Sequence, residues 1–158
     1  MALKSAFEAT MRIIYLVLHC LIIILLAGDM AMAKNKLRDC PKSPNCVSTQ
    51  TDQESKKMEP IPFTGDARDA IKEIKEVLSK QSAAQLISEN SSLLHYTFTS
   101  SFFRFVDDVE FLVDPEEKLI HFRSASRTGR SDFGVNRRRM DHLRTLIGQK
   151  LTEENHAN

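Results

Sequence analysis

Val109-Glu-Phe-Leu-Val-Asp-Pro-Glu-Glu-Lys-Leu-Ile-His-Phe-Arg123 contains two strands and the turn that joins them. Val109, Phe111 and Val113 alternate with Glu110 and Leu112. Alternation with a period of two sends successive side chains to opposite faces of a sheet. Asp114-Pro115-Glu116-Glu117 is a turn signal, and Lys118 to Arg123 reads as the returning strand, with Ile120 and Phe122 on its inward face. A connection this short makes the two strands antiparallel neighbours. Upstream, Leu94, Tyr96 and Phe98 alternate with His95, Thr97 and Thr99, which gives a third half-buried strand. Gln85-Leu86-Ile87-Ser88 is a fourth, short one, ended by the turn Glu89-Asn90-Ser91-Ser92. Phe102-Phe103-Arg104-Phe105 is apolar and fits a strand or a loop equally well.

Helical patterns flank these strands. Ala67, Ala70, Ile71, Ile74, Val77 and Leu78 form one stripe within Thr64 to Lys80, with Thr64 or Asp66 as the cap. Arg68, Asp69, Lys72, Glu73, Lys75 and Glu76 fill the opposite side and read as a solvated face. After a polar loop over Ser124 to Gly134, Val135, Met140, Leu143, Ile147 and Leu151 share a second stripe. The expected fold is therefore α+β in the order helix, strands, helix. A small antiparallel sheet of about four strands carries both helices on one face. This domain spans 63–152, and residues 153–158 read as a frayed tail.

The chain has 158 residues, enough for one domain. Its net charge of +1 provides no global field toward nucleic acid. Ile13 to Gly28 carries no charged side chain, follows Lys4 and Arg12, and precedes Ala31-Met32-Ala33. That arrangement reads as a signal peptide over 1–33, cleaved before Lys34. The alternative is a retained signal anchor, although the run is shorter than the ~20 residues of a spanning helix. Export to the periplasm, or to the extracytoplasmic face of the membrane, follows from either reading. Membrane contact through this segment follows only if it stays uncleaved. Residues 34–62 look extended, with Pro41, Pro44, Pro60 and Pro62 and no apolar period. They hold Cys40 and Cys46, an even pair in an exported chain and most simply a disulfide.

Three stretches together resemble a known family. They are Cys40-Pro-Lys-Ser-Pro-Asn-Cys-Val-Ser48, Phe105-Val-Asp-Asp-Val-Glu-Phe111 and Arg123-Ser-Ala-Ser-Arg-Thr-Gly-Arg-Ser-Asp-Phe-Gly-Val-Asn-Arg137. In this order they are similar to domain of unknown function 1499, over about residues 37–150. The resemblance implies an exported or membrane-associated domain with no established activity, and it draws attention to these three stretches.

Charge is segregated within two of them. Residues 107–117 hold Asp107, Asp108, Glu110, Asp114, Glu116 and Glu117 with no base between Asp107 and Glu117. Residues 123–144 hold Arg123, Arg127, Arg130, Arg137, Arg138, Arg139 and Arg144 against Asp132 and Asp141. Basic residues at the start of the second helix oppose its macrodipole, so a compensating anion is expected. Two accounts are open. In one, Asp107, Asp108, Glu110 and Asp132 pair internally with the arginines and pin the loop. In the other, an anion site forms from Arg123, Ser124, Ser126, Arg127, Arg130, Ser131, Asn136 and Arg137 with the free amides of the helix start.

Other chemistries fit less well. His95, Glu110 and His121 share the face away from the helices, but a metal would require the strand order to bring them together. No nucleophile-elbow, P-loop, dinucleotide or zinc-finger pattern occurs, and no metal or cofactor is expected. The leading expectation is a non-catalytic envelope domain that binds an anionic small molecule or protein partner, not nucleic acid, through the Arg-rich loop and helix start. The alternatives are a hydrolase or transferase on an anionic substrate, with Asp108 or Glu110 as base, and a membrane-anchored structural or assembly factor.

Overall fold

The alternating residues of the central strands build one continuous sheet. The computed structural model describes residues 36–157 together with Met11, Arg12, Tyr15 and His19. The segment read as a signal, 1–33, lies outside the described residues apart from those four positions. Among the described residues no helix is long and apolar enough to cross a membrane. Strands β1 (Cys46–Ser48), β2 (Ile61–Pro62), β3 (Ala84–Glu89), β4 (Leu93–Thr99), β5 (Val106–Asp114) and β6 (Leu119–Ser126) are all antiparallel to their neighbours. Their order is β1-β6-β5-β4-β3, and β2 pairs with β6 on the same edge as β1.

The sheet thus has six strands rather than about four. The two extra strands come from the Cys- and Pro-containing segment. They are three and two residues long, too short to display a period. They are nevertheless fixed by the edge of β6, with Cys46 opposite Ala125, Ser48 opposite Arg123 and Ile61 opposite Ile120. Just past β1, Thr49 Oγ1 accepts from Phe122 N at 3.1 Å. Cys40 and Cys46 are joined by a disulfide with Cα atoms 5.7 Å apart. With Ala125 they form a small buried cluster. Lys56, which follows β1, is itself buried and donates its ammonium to Pro41 O and Gln53 Oε1.

Helix α1 (Ala67–Ser79) begins at Asp66, whose side chain accepts from Arg68 N at 2.7 Å. Helix α2 (Val135–Ala157) keeps helical backbone beyond Thr152, through most of the part expected as a tail. Ala70, Ile74, Val77 and Leu78 of α1 and Met140, Leu143, Ile147 and Leu151 of α2 close on the sheet side that carries Leu94, Tyr96, Phe98, Val109, Phe111, Ile120 and Phe122. Two helix positions differ from expectation. Glu73, read as solvated, is 2% exposed because α2 packs beside α1 and brings Lys150 to 3.8 Å from its carboxylate. Val135, read as the first inward position of α2, is exposed, and Asn136 takes the inward place.

Asn35–Asn158 is one compact unit. It contains the whole sheet, both helices, the disulfide and the core described above.

Candidate functional site

The joint between the start of α2 and the end of β6 is polar and closed. Asn136, fully buried, is its hub. Its Oδ1 accepts from Ser124 Oγ and from Arg139 Nη1, the latter at 2.8 Å. Its Nδ2 donates to Asp132 Oδ2 at 2.8 Å, Ser126 Oγ at 3.0 Å and Asn45 O at 3.3 Å. Arg139 reaches Asp107 Oδ2 at 2.6 Å and lies over the Phe98 ring. Asp132 caps the helix, accepting from Gly134 N at 3.0 Å and Asn136 N at 2.7 Å. Burial pushes its carboxyl upward, but those amides and the Asn136 side chain outweigh burial and leave its pKa lowered. Asp132 and Asp107 thus supply the negative charge that arginines at a helix N-terminus call for.

The opposite face of the sheet carries a row of ion pairs. Glu110 Oε1 accepts from Arg38 Nε at 3.0 Å, and Oε2 accepts from Arg123 Nη1 at 3.3 Å. Burial draws the Arg123 guanidinium below its ordinary value despite the pull of Glu110. Its Nε has no hydrogen-bond partner among the described residues. Asp108 accepts two hydrogen bonds from Arg127, at 3.0 and 2.8 Å, and lies 2.7 Å from His95 Nε2. The Arg127 bonds, helped by His95, hold the Asp108 carboxyl at about 2 against the upward push of burial. His121 is engaged elsewhere, 3.1 Å from Thr49 Oγ1 and 3.4 Å from Glu117 Oε2. Among the described residues, no three His, Cys, Asp or Glu side chains converge as a metal site.

One end of the molecule is different in character. Here β4 and β6 finish and β5 starts. The β4–β5 turn is closed by Ser100 N donating to Phe105 O at 2.9 Å, and Arg127 N donates to Val106 O across the β5–β6 ladder at 3.0 Å. Asn45, beside the disulfide, donates to Gly129 O at 2.8 Å and so ties the β6–α2 loop to β1. Phe102, Phe103, Phe105 and Phe133 all project into solvent at this end, Phe102 at 84% and Phe133 at 88% exposure. Arg104 and Phe133 hold left-handed backbone, with φ of 55° and 52°, which non-glycine residues adopt at a cost. Arg104 and Arg130 are exposed, and neither guanidinium has a partner among the described residues.

The eight residues considered as an anion site are therefore divided. Arg123 and Ser124 are adjacent on β6 and face opposite ways, Arg123 toward Glu110 and Ser124 toward Asn136. Ser126 and Asn136 belong to the closed joint. Arg137 turns away to the carbonyls of Ser55, at 2.8 Å, and Lys57. Ser131 accepts from Phe133 N at 3.3 Å within the loop. Arg127 is half-exposed and paired with Asp108, so Arg130 alone stands unpaired in solvent. The candidate site residues read from the sequence did not include Arg139, Asn45, Arg38 or Arg104. Arg139 had a signal, since Asn136, Met140, Leu143 and Ile147 share the inward side of α2 and Arg139 flanks it. Asn45 lies in the stretch 40–48 that the resemblance singles out, although its partner is 84 residues away, and Arg38 had no signal, because its partner lies 72 residues away.

A sheet with helices on one face, closed at one end by a buried Asn–Arg–Asp joint and a disulfide, defines a small α+β domain. Residues 36–147, from the segment before β1 to within α2, match the family model described as a protein of unknown function, DUF1499. The chain belongs to that family. A search of curated proteins gives no match.

Proposed function

We propose that the chain is an exported domain of the cell envelope that acts by binding rather than by catalysis. It grips an anionic partner through the end formed by the β4–β5 turn, the β6–α2 loop and the disulfide loop. The observation that carries this reading is the pair of exposed arginines, Arg104 and Arg130, left without a partner while the neighbouring arginines are all used internally. Guanidinium groups in that state are available for carboxylate, phosphate or sulfate groups. The paired carboxylates on the opposite face favour binding over acid–base chemistry. A general base needs a pKa near the working pH, and Asp108 is held at about 2. Both oxygens of Glu110 are also occupied by arginine. Asp108 is therefore not poised to take a proton.

The test is the orientation of binding to a plain anionic surface. Residues 35–158 lack Lys4, Arg12, Lys34, Glu8 and Asp29 and so carry no net charge, and retention on a sulfonate resin at neutral pH must come from a local patch. Oxidised residues 35–158 carrying Arg104→Gln and Arg130→Gln should elute at clearly lower salt than the parent. A charge-matched control, Arg68→Gln with Arg144→Gln, should elute close to the parent. Equal elution of the two double variants would sink the reading.

A further inference from the structure

We infer that the anionic partner at this end is a lipid surface, met by an aromatic tip ringed with arginine. The inference rests on the binding reading above and names its occupant. Four phenylalanines exposed at one end of a small domain have no use in its own core. Phe102 and Phe103 meet edge to face at 4.7 Å, and Phe103 stacks on Phe105 at 5.5 Å. They pack on each other, and none of them belongs to the hydrophobic core. Contiguous exposed apolar groups of this kind mark a place where something else is bound. The rings stand on a hairpin turn and a loop, a projecting shape. The clefts bordering Gly148 and Gln149 lie several helical turns along α2 from this end.

Charge selects the occupant. Residues 99–106 contain Arg104 and no acid, and residues 127–131 contain Arg127 and Arg130 and no acid. Lys42, in the disulfide loop at the same end, is exposed as well. The acidic turn of the β5–β6 hairpin, with Asp114, Glu116 and Glu117, lies at the other end of the strands. That is roughly 25 Å away, at ~3.3 Å per residue of strand. The domain is therefore polarised along its strands. Its apolar and cationic end would meet an anionic bilayer, and its acidic turn would point away. Aromatic side chains entering the acyl boundary while cations stay among the headgroups is the usual chemistry of interfacial binding. A soluble acidic protein would satisfy the arginines but would not account for phenylalanines that project from a tip.

The experiment uses oxidised residues 35–158 and sedimentation with vesicles of phosphatidylcholine alone or mixed with phosphatidylglycerol. The parent should partition onto the mixed vesicles and hardly onto phosphatidylcholine, with affinity falling as salt rises. Phe102→Ser with Phe103→Ser should weaken partitioning at least about tenfold. Arg104→Gln with Arg130→Gln should weaken it about 25-fold, near fivefold for each charge. All four side chains are exposed, so an unchanged melting temperature will show that the variants still fold. The chain has no tryptophan, so Phe103→Trp supplies a single reporter whose emission should shift to the blue on mixed vesicles. Vesicle partitioning that is absent, or indifferent to the phenylalanine variants, overturns the inference. So does binding to soluble polyglutamate with no binding to vesicles. If the arginine pair still governs elution from the sulfonate resin in either case, the binding reading survives alone. If it does not, both fall.

Discussion

Asn136 is the residue on which the joint depends. An amide side chain can accept with its oxygen while donating with its nitrogen, and here both ends are used at zero exposure. Replacing it with leucine keeps the branched shape, in a somewhat larger side chain, but leaves Ser124, Arg139 and Asp132 without their partner in a dry place. Unmaking buried polar bonds costs more than forming them stabilises. Asn136→Leu should lower the unfolding free energy by about 3 kcal/mol, measured from urea midpoints at constant m-value. A loss below about 1 kcal/mol would mean that water or relaxation replaces the missing bonds. Asp108 gives a different prediction. Its folded pKa of about 2 lies below the ordinary 3.8, so the unfolded chain binds its proton first as pH falls. The stability from its arginine pair is then fully present above about pH 4 and drains away as pH drops through about 2. Asp108→Asn should flatten stability against pH in that window, and Arg127→Gln should do much the same. An unaltered acid profile in both variants would show that the pair does not contribute.

Among the elements, legibility follows the range of the forces involved. β4, β5 and β6 are readable because each has one buried face and is long enough to repeat. The hairpin register also follows from a short turn. α1 is readable by its stripe, but Glu73 is not, because the helix that buries it arrives through Lys150 and its neighbours, late in the chain. β1 and β2 are hidden for the same reason, as the edge of β6 makes them strands. At the site, the segregation of acids from arginines announces pairing but cannot say which pairs form. That Asp107 takes Arg139 while Asp108 takes Arg127 depends on adjacent residues of β5 facing opposite sides of the sheet. The disulfide is an element-scale device readable from two cysteines. It closes a loop of sequence separation 6 and seats Cys46 against Ala125. Reduction, or Cys40→Ser with Cys46→Ser, should cost about 2 kcal/mol in the same urea assay. An unchanged midpoint would mean that Lys56 and Asn45 hold the loop without the bond.

On the scale of the whole molecule, the question is where the folding unit begins. The helices and the alternating strands all lie after residue 62, which makes 63–152 look self-sufficient. The structure gives the preceding segment work that nothing later can do. β1 and β2 together cover the outer edge of β6. Thr49 satisfies Phe122 N, and Arg38 takes one oxygen of Glu110. Leu37 and Cys40 are buried, and the carbonyls of Ser55 and Lys57 hold Arg137. Without this segment β6, whose inward residues Ile120, Phe122 and Ser124 are fully buried, would become a bare edge. Glu110 would keep only Arg123 to compensate its charge. Unprotected edges with apolar strands pair with other copies of themselves. A chain of residues 63–158 should therefore aggregate or lose its near-ultraviolet dichroism, while residues 35–158 melt in one cooperative transition. Size-exclusion chromatography and a thermal melt of the two chains decide the matter. If the shorter chain stays soluble and melts cooperatively within about 5 °C of the longer one, the difference is on the order of 1 kcal/mol, and β1 and β2 are ornaments of the sheet, not part of its foundation.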